Sequence, residues 1–404
     1  MQCFLPVVRT GLLSALLLVE MVSAPHAQTI AYRYFVTDLG TLGGTDGSVS
    51  CCFAYAVNTS GEVAGATLVS SNTAFHAFRT ATNAPINPGT DDLGTLGGAQ
   101  SYGLAINASG QVAGSAATSG SAPLHAFRTA TNAPINPGTD DLGTLGGTES
   151  QANGINAAGQ VVGYAYTSGD TALHAFRTAA NQHINPNTDD LGTLGGRGST
   201  ALAINHSGQV VGESLISNNA TSHAFRTAAN QPINPNTDDL GTLGGIWSTA
   251  SAINDSGQVV GYSTASGSRP RHAFRTAANQ PINPKTDDLG TLGGAESFAL
   301  GINTYGQVIG YSWLSGNSVI HAFLYGSGVI YDLNNLIPAG SGWNLTVAYG
   351  INNGGQIVGI GTQRGQGRPF LLTPASKELC INGGWKSFGF KNQGQCIQFV
   401  NTGK

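Results

Sequence analysis

Six histidines open the triplet "HAF", at His76, His125, His174, His223, His272 and His321. Paired acids recur five times in "DDLG", with Asp92, Asp141, Asp190, Asp239 and Asp288 as their second members. Imidazole and carboxylate in quantity raise two chemistries, metal binding and general acid–base catalysis. A metal site needs three or four ligands within about 2 Å of one ion. Copies of one residue converge that way only on a shared axis, and "HAF" reads as a strand away from any axis. The imidazoles are therefore expected to be partly buried and bonded to backbone, each with its neighbouring Phe in the core. Adjacent acids on a strand point to opposite faces, so they do not form an acid–base pair. "TDDLGT" also lacks the alternating oxygen ligands of a calcium loop. A turn or strand-end role is expected.

Other candidates read similarly. Arg79, Arg128, Arg177, Arg226 and Arg275 follow the phenylalanines, which suggests cross-strand pairing with an acid or a solvated edge. Asn–x–Ser–Gly copies such as Asn205 to Gly208 suit hairpins that need a positive φ. No "GxSxG", "HExxH" or phosphate-cradling loop is present. Cys51 and Cys52 are adjacent, so one is expected in the core. No catalytic residue, cofactor or metal is assigned.

The elements that hold these residues are repeated. "DLG" starts at Asp38, Asp92, Asp141, Asp190, Asp239 and Asp288, with a variant at Asp332. "INxxGQVVG" starts at Val57, Ile106, Ile155, Ile204, Ile253, Ile302 and Ile351. "HAF" has six copies and a seventh version, "RPF", ending at Phe370. Three phrases each give seven units. Within one unit, "TALAIN", "QVVGES", "SHAFRTA" and "DDLGTL" read as four short strands, separated by turn and Pro-rich loop chemistry. Four strands in about 49 residues match a propeller blade. The fold class predicted is all-β: a seven-bladed β-propeller of four-stranded antiparallel blades. A β-solenoid would need caps at both ends. Here "AYRYFVTDLGTLGG" supplies a lone fourth strand, and the last unit lacks one. The ring is expected to close through that N-terminal strand, taken from residues 31–39. The strand order from the axis outwards is expected to be "AIN", "VVG", "HAF", "DLG".

Composition sets the class. Charged residues are 9% and hydrophobic ones 40%, with 58 glycines and a net charge of −4. The longest basic run is two residues, which argues against a nucleic-acid surface. Arg9, the apolar stretch "GLLSALLLVEMVSA" and "SAPHAQ" read as an export signal, cleaved after Ala24 or Ala27. No other segment approaches the roughly 20 apolar residues of a membrane span. The expected organisation is a signal peptide over 1–27, a propeller over 28–376, and a small cassette over 377–404. Export permits a disulfide between Cys380 and Cys396, which bracket a Gly- and aromatic-rich segment.

"DLGTLGG", "INxxGQVVG" and "HAF", in that order over about residues 36–375, resemble the bacterial extracellular HAF repeat family. That resemblance implies an exported, propeller-like repeat protein with no established activity. The family often continues "HAFLW", with a short turn before "DLG". Only "HAFLYGSGVIYDL" (His321 to Leu333) keeps that form, while five copies carry "HAFRT" and a longer Asn/Pro loop. The tail, "CINGGWKSFGFKNQGQC" onward, looks like a C-terminal cassette of bacterial exported proteins. The function expected is a non-enzymatic, exported, monomeric binding or scaffold module, with carbohydrate or protein at the cell surface as partner. One alternative is a propeller-type polysaccharide lyase or hydrolase, with Tyr305, Trp313 and Trp343 of the less regular units one, six and seven as candidates. The other is a purely structural cell-surface protein.

Overall fold

A computed structural model describes residues 32–44, 52–120, 123–217 and 219–404. The expected signal peptide with its cleavage sites at Ala24 and Ala27 lies outside them, as does Cys51. Arg33–Lys404 form one unit. Among the described residues, strands build seven antiparallel sheets. Sheet one holds Cys52–Val57, Val63–Leu68 and Phe75–Arg79, and sheet two Ser101–Ile106, Val112–Ala117 and Leu124–Arg128. Sheet three holds Gly146–Ile155, Val161–Thr167 and Leu173–Arg177, and sheet four Gly195–Ile204, Val210–Ile216 and Ser222–Arg226. Sheet five holds Ser248–Ile253, Val259–Thr264 and Arg271–Arg275. Sheet six holds Gly293–Ile302, Val308–Leu314, Ile320–Gly326 and Val329–Asp332. Sheet seven joins Trp343–Ile351, Ile357–Gln363 and Gln366–Pro374 to the N-terminal strand Tyr34–Asp38.

The order "AIN", "VVG", "HAF" within each sheet follows from short hairpins. In sheet four, Asn205 N–H donates to the Gln209 carbonyl and Gly208 N–H to the Asn205 carbonyl. Gly208 takes φ +84° there, a region that favours glycine. The glycine of "VVG" has a different cause. The first strand bulges between residues such as Ala201 and Ala203. The bulge pushes the Thr200 carbonyl against Gly212, where a Cβ would collide with it.

The predicted fourth strand is a correction in five units. "DLG" makes only a single bridge there, such as Phe225 with Asp239. Asp239 Oδ1 accepts from Gly241 N–H at 2.8 Å, and Gly241 has φ +72°. That turn takes the chain out of the extended conformation before a strand can grow. Among the described residues, sheets one to five are therefore three-stranded, and six and seven have four strands.

The core lies between neighbouring sheets. Ala113 and Ala126 of sheet two pack with Ala152, Val161 and Phe176 of sheet three, with Leu142 and Leu145 of "DLGTL" filling the gap. The same grouping joins Val358 and Leu371 of sheet seven to Ala54, Val63 and Phe78 of sheet one, through Leu39 and Leu42. Each buried Phe of "HAF" is fully covered. The tail is mainly helical, ending in Gln393–Thr402, and holds the Cys380–Cys396 disulfide (Cα–Cα 5.7 Å). It packs on Phe35 of the N-terminal strand. Among the described residues no helix is long and apolar enough to cross a membrane.

Candidate functional site

The repeated polar residues brace the frame. His76, His125, His174, His223 and His272 each place Nδ1 2.7–3.0 Å from a carboxylate, on Asp92, Asp141, Asp190, Asp239 and Asp288 in turn. His321 pairs with Asp332 at 2.7 Å. The expected backbone bond is present at His125, to Thr148, and at His272, to Ala295; the carboxylate is a further partner that the expectation lacked, because "HAF" and "DLG" run side by side and their side chains meet on one face. In the seventh version Arg368 stands in the histidine position, 3.5 Å from Asp38. Burial pushes the Asp141 and Asp288 carboxyls up, but bonds from the histidine and a glycine N–H outweigh it, leaving both low. The carboxylate bonds raise His125 and His272 against burial. The first acid of each pair closes a loop: Asp238 accepts from Asn234 N–H at 2.8 Å and the Thr237 hydroxyl at 3.0 Å. Among the described residues no three His, Cys, Asp or Glu side chains group as metal ligands.

The arginines do more than expected. Arg128, Arg177 and Arg226 donate, at an exposed edge, to backbone carbonyls of the next repeat, at Gln182, Gln231 and Gln280. They bridge repeats, and Asp140, Asp189 and Asp238 in turn attract their charges without a direct hydrogen bond. The asparagines after "I" do more than turn the chain. Asn58 Nδ2 donates to the Asn107 carbonyl, Asn107 to Asn156, and so on through Asn205, Asn254, Asn303 and Asn352. Asn352 donates back to the Asn58 carbonyl at 2.8 Å. This circuit surrounds a cavity of about 310 Å³ whose wall nearly repeats itself sevenfold. Its buried amides are already satisfied by one another, so they have little to offer a ligand.

The opposite ends of the same first strands are unlike from repeat to repeat. The position of Trp247 carries Gln100, Glu149, Gly198 or Glu296 elsewhere. The position of Tyr262 carries Ala66, Ser115, Tyr164, Glu213, Tyr311 or Ile360. The position of Arg271 carries Phe75, Leu124, Leu173, Ser222 or Ile320. Of these, Glu213, Ser222, Trp247, Tyr262, Arg271, Glu296, Tyr311 and Ile320 line three adjoining cavities of about 120, 680 and 370 Å³ that share Tyr262 as a wall. Together they form a groove that runs from the rim at Trp247 over sheets five and six and opens into a mouth lined by first-strand residues of all seven sheets, Tyr55 and Tyr349 among them. Apolar walls with a few convergent polar groups are the usual make-up of a ligand site.

The groove's centre is built tightly. Phe298 stacks on Tyr311 at 4.7 Å, and the Arg271 guanidinium lies 4.7 Å from the Phe298 ring. Arg271 and Arg269 both reach Glu296, at 3.3 and 3.2 Å. Glu213 accepts from the Thr249 hydroxyl at 2.7 Å. Burial, helped by Tyr311, pushes Tyr349 up to about 12. Burial, helped by Tyr349, raises Tyr55 further. Both phenols stay protonated donors at neutral pH.

The residues expected for an enzyme site are not brought together. Trp313 lies in the groove. Tyr305 is 77% exposed at the asparagine end, and Trp343 lines a separate hollow beside the tail. Sequence reading missed Trp247, Tyr262 and Arg271 because their unit looks regular by its repeated phrases. The signal lay in the positions where the units disagree.

No protein-family model and no curated protein matches the chain. Among solved structures it is similar to the WD40 β-propeller domain of Doa1, at 12% identity over 83% of this chain and 96% of that one, with a TM-score of 0.32.

Proposed function

We propose that the chain is an exported, closed seven-bladed β-propeller of the HAF repeat type, working as a non-enzymatic binding module. One observation carries the functional reading: at positions that vary between otherwise near-identical repeats, Glu213, Trp247, Tyr262, Arg271, Glu296 and Tyr311 gather in one groove. A purely structural repeat would have no reason to collect its differences at one end of its strands. Closure is supported by Tyr34–Asp38 pairing with Gln366–Pro374, by Arg368 on Asp38, and by the return of the asparagine circuit to Asn58. Binding rather than hydrolysis is supported by the groove carboxylates. Glu296 is held by two guanidiniums and Glu213 by hydroxyls, so neither is placed as a proton donor.

The test is a screen of the mature protein against glycan and protein arrays. Any ligand retained should lose binding in Tyr262→Ala/Trp313→Ala and keep it in Tyr305→Ala, at the other end of the strands. Binding that ignores the groove pair would refute the assignment of the site. Turnover of a bound glycan would restore the enzyme reading.

A further inference from the structure

We infer that the hollow between the tail and sheet seven is a second binding site, for an organic anion with an apolar body. It shares no lining residue with the groove, so it stands or falls without the groove. Three features support it.

The first is the make-up of the hollow. Its volume is about 900 Å³, larger than any cavity of the groove. Half-buried Trp343, Leu379, Phe388 and Phe390 supply apolar wall. Trp343 meets the buried Phe370 edge-on at 6.2 Å and Phe388 stacks on Phe35, so sheet and tail hold these walls in place. The second is charge. Four of the chain's five lysines, Lys377, Lys386, Lys391 and Lys404, fall in the tail against one acid there, Glu378, although the whole chain carries −4. Arg364, Lys386 and Lys391 line the hollow and are exposed, which puts them at its mouth. Asp38 is the one carboxylate in the lining, and it is occupied by Arg368 at 3.5 Å and the Gly40 N–H at 2.9 Å. In the groove Glu213 and Glu296 balance Arg269 and Arg271. Here, among the described residues, no ion pair holds any of the three cations.

The third feature is where Arg364 stands. It is at the tip of the hairpin between Ile357–Gln363 and Gln366–Pro374, with φ +51°. The same connection in the other six sheets turns through a positive φ at Asn72, Gly120, Asp170, Asn219, Gly267 and Asn317. Glycine, asparagine and aspartate are the types that accept this conformation. Among the described residues Arg364 is the one long side chain held in it. Such departures gather at ligand sites, where the side chain matters more than the turn. Its stem lies against Gly342, where a Cβ would come within 3.4 Å of the Arg364 Cγ. A guanidinium matches a carboxylate bidentately. An anion with an apolar body uses both halves of the hollow: its body leaves water against the walls, and its charge stays at the cationic mouth.

The experiment is calorimetric titration of the mature protein with 2-naphthoate, decanoate, the neutral alcohol of each, and inorganic phosphate. At least one acid should bind, and which one does tells a ring body from a chain body. Exposed ion pairs are individually weak, so the three cations together should favour the acid over its alcohol by about tenfold. Arg364→Asn should weaken the acid about threefold, leave the alcohol unchanged, and melt no lower than the parent, because asparagine suits the turn. Lys386→Gln/Lys391→Gln should also weaken the acid, whereas Lys377→Gln/Lys404→Gln, which removes the same charge from outside the lining, should not. Equal affinity for acid and alcohol, phosphate binding as tight as the acids, or no binding overturns the inference. An equal loss in both lysine pairs would reduce it to general attraction by the tail and overturn the site. A lower melting temperature in Arg364→Asn would make Arg364 a structural residue and overturn its assignment.

Discussion

Replacing Phe35 with alanine should loosen the strand on which the first and last sheets depend. Phe35 is completely buried on Tyr34–Asp38. Its ring stacks on Phe388 at 4.2 Å and meets Phe390 and Phe399 at 5.8 Å. A buried aromatic ring removes roughly 150–250 Å² from water. At about 25 cal/mol per Å² that is roughly 4–6 kcal/mol. Alanine keeps part of the burial and the unfolded chain is not fully extended, so this is an upper figure. Core Phe→Ala substitutions cost about 3–5 kcal/mol, and we expect Phe35→Ala to cost about 4. Domains have only about 5–15 kcal/mol in total, so the loss should be plain in equilibrium urea unfolding. Hydrogen exchange should locate it, with amides of residues 34–38 and 366–374 exchanging faster than those of sheets three and four. Cys380→Ser/Cys396→Ser should act at the same place, since opening a loop with a sequence separation of 16 removes about 3 kcal/mol in the chain-entropy account. A cost below about 1 kcal/mol for Phe35→Ala, with unchanged exchange at residues 34–38, would refute the reasoning that the tail secures this strand.

Three further outcomes are expected. Stability should be greatest between roughly pH 4 and 6.5, bounded by the unfolded Asp and His values. The lowered carboxyls of Asp92, Asp141, Asp190, Asp239 and Asp288 contribute above the unfolded Asp value and lose that contribution as pH falls through their folded values. The raised His125 and His272 contribute fully below the unfolded His value and lose that as pH rises through their folded values. A melting temperature that climbs from pH 6 to 8 would contradict this, and His125→Gln/His272→Gln should flatten the alkaline decline. Asn352→Leu leaves the Asn303 donor in place but removes the donor to Asn58, and should cost about 1–3 kcal/mol for the unsatisfied buried groups; thermal unfolding measures it. Gly212→Ala should fail to accumulate as folded protein or melt far below the parent, because the Thr200 carbonyl occupies the space, whereas Gly241→Asn, at a positive φ with nothing within 4 Å, should be tolerated.

The repeats made the frame readable. Three phrases placed the first, second and third strands of each sheet and the N-terminal strand beside "RPF". The Cys380–Cys396 bond was legible for a different reason, the two cysteines bracketing the Gly- and aromatic-rich tail segment. What they concealed was what happens between strands. A "DLGTL" that looks like a strand turns away because Asp239 caps its own chain at Gly241. Imidazoles found their partners 16 residues on, on a neighbouring segment. The arginines reach 54 residues ahead to the next repeat. The groove was hidden for another reason. Attention went to what the units share, and the shared residues are the ones needed for folding. Trp247, Tyr262 and Arg271 stand among those shared words, on three different segments that only the fold brings to one cavity.

The asparagine circuit has a further consequence. Its seven side-chain bonds all run in one sense, each amide donating forward to the next carbonyl, and the last returns to the first. A linear row of such bonds has two ends, one with a donor left over and one with an acceptor left over. A circle has neither. Every joint is also chemically the same as every other, so a copied unit brings its own complete joint with it. Growth of such a chain by duplication would meet no penalty at the seams until geometry closes the loop. The number of units is then fixed by curvature, while residues outside the circuit, such as Trp247, can diverge without breaking any of its bonds.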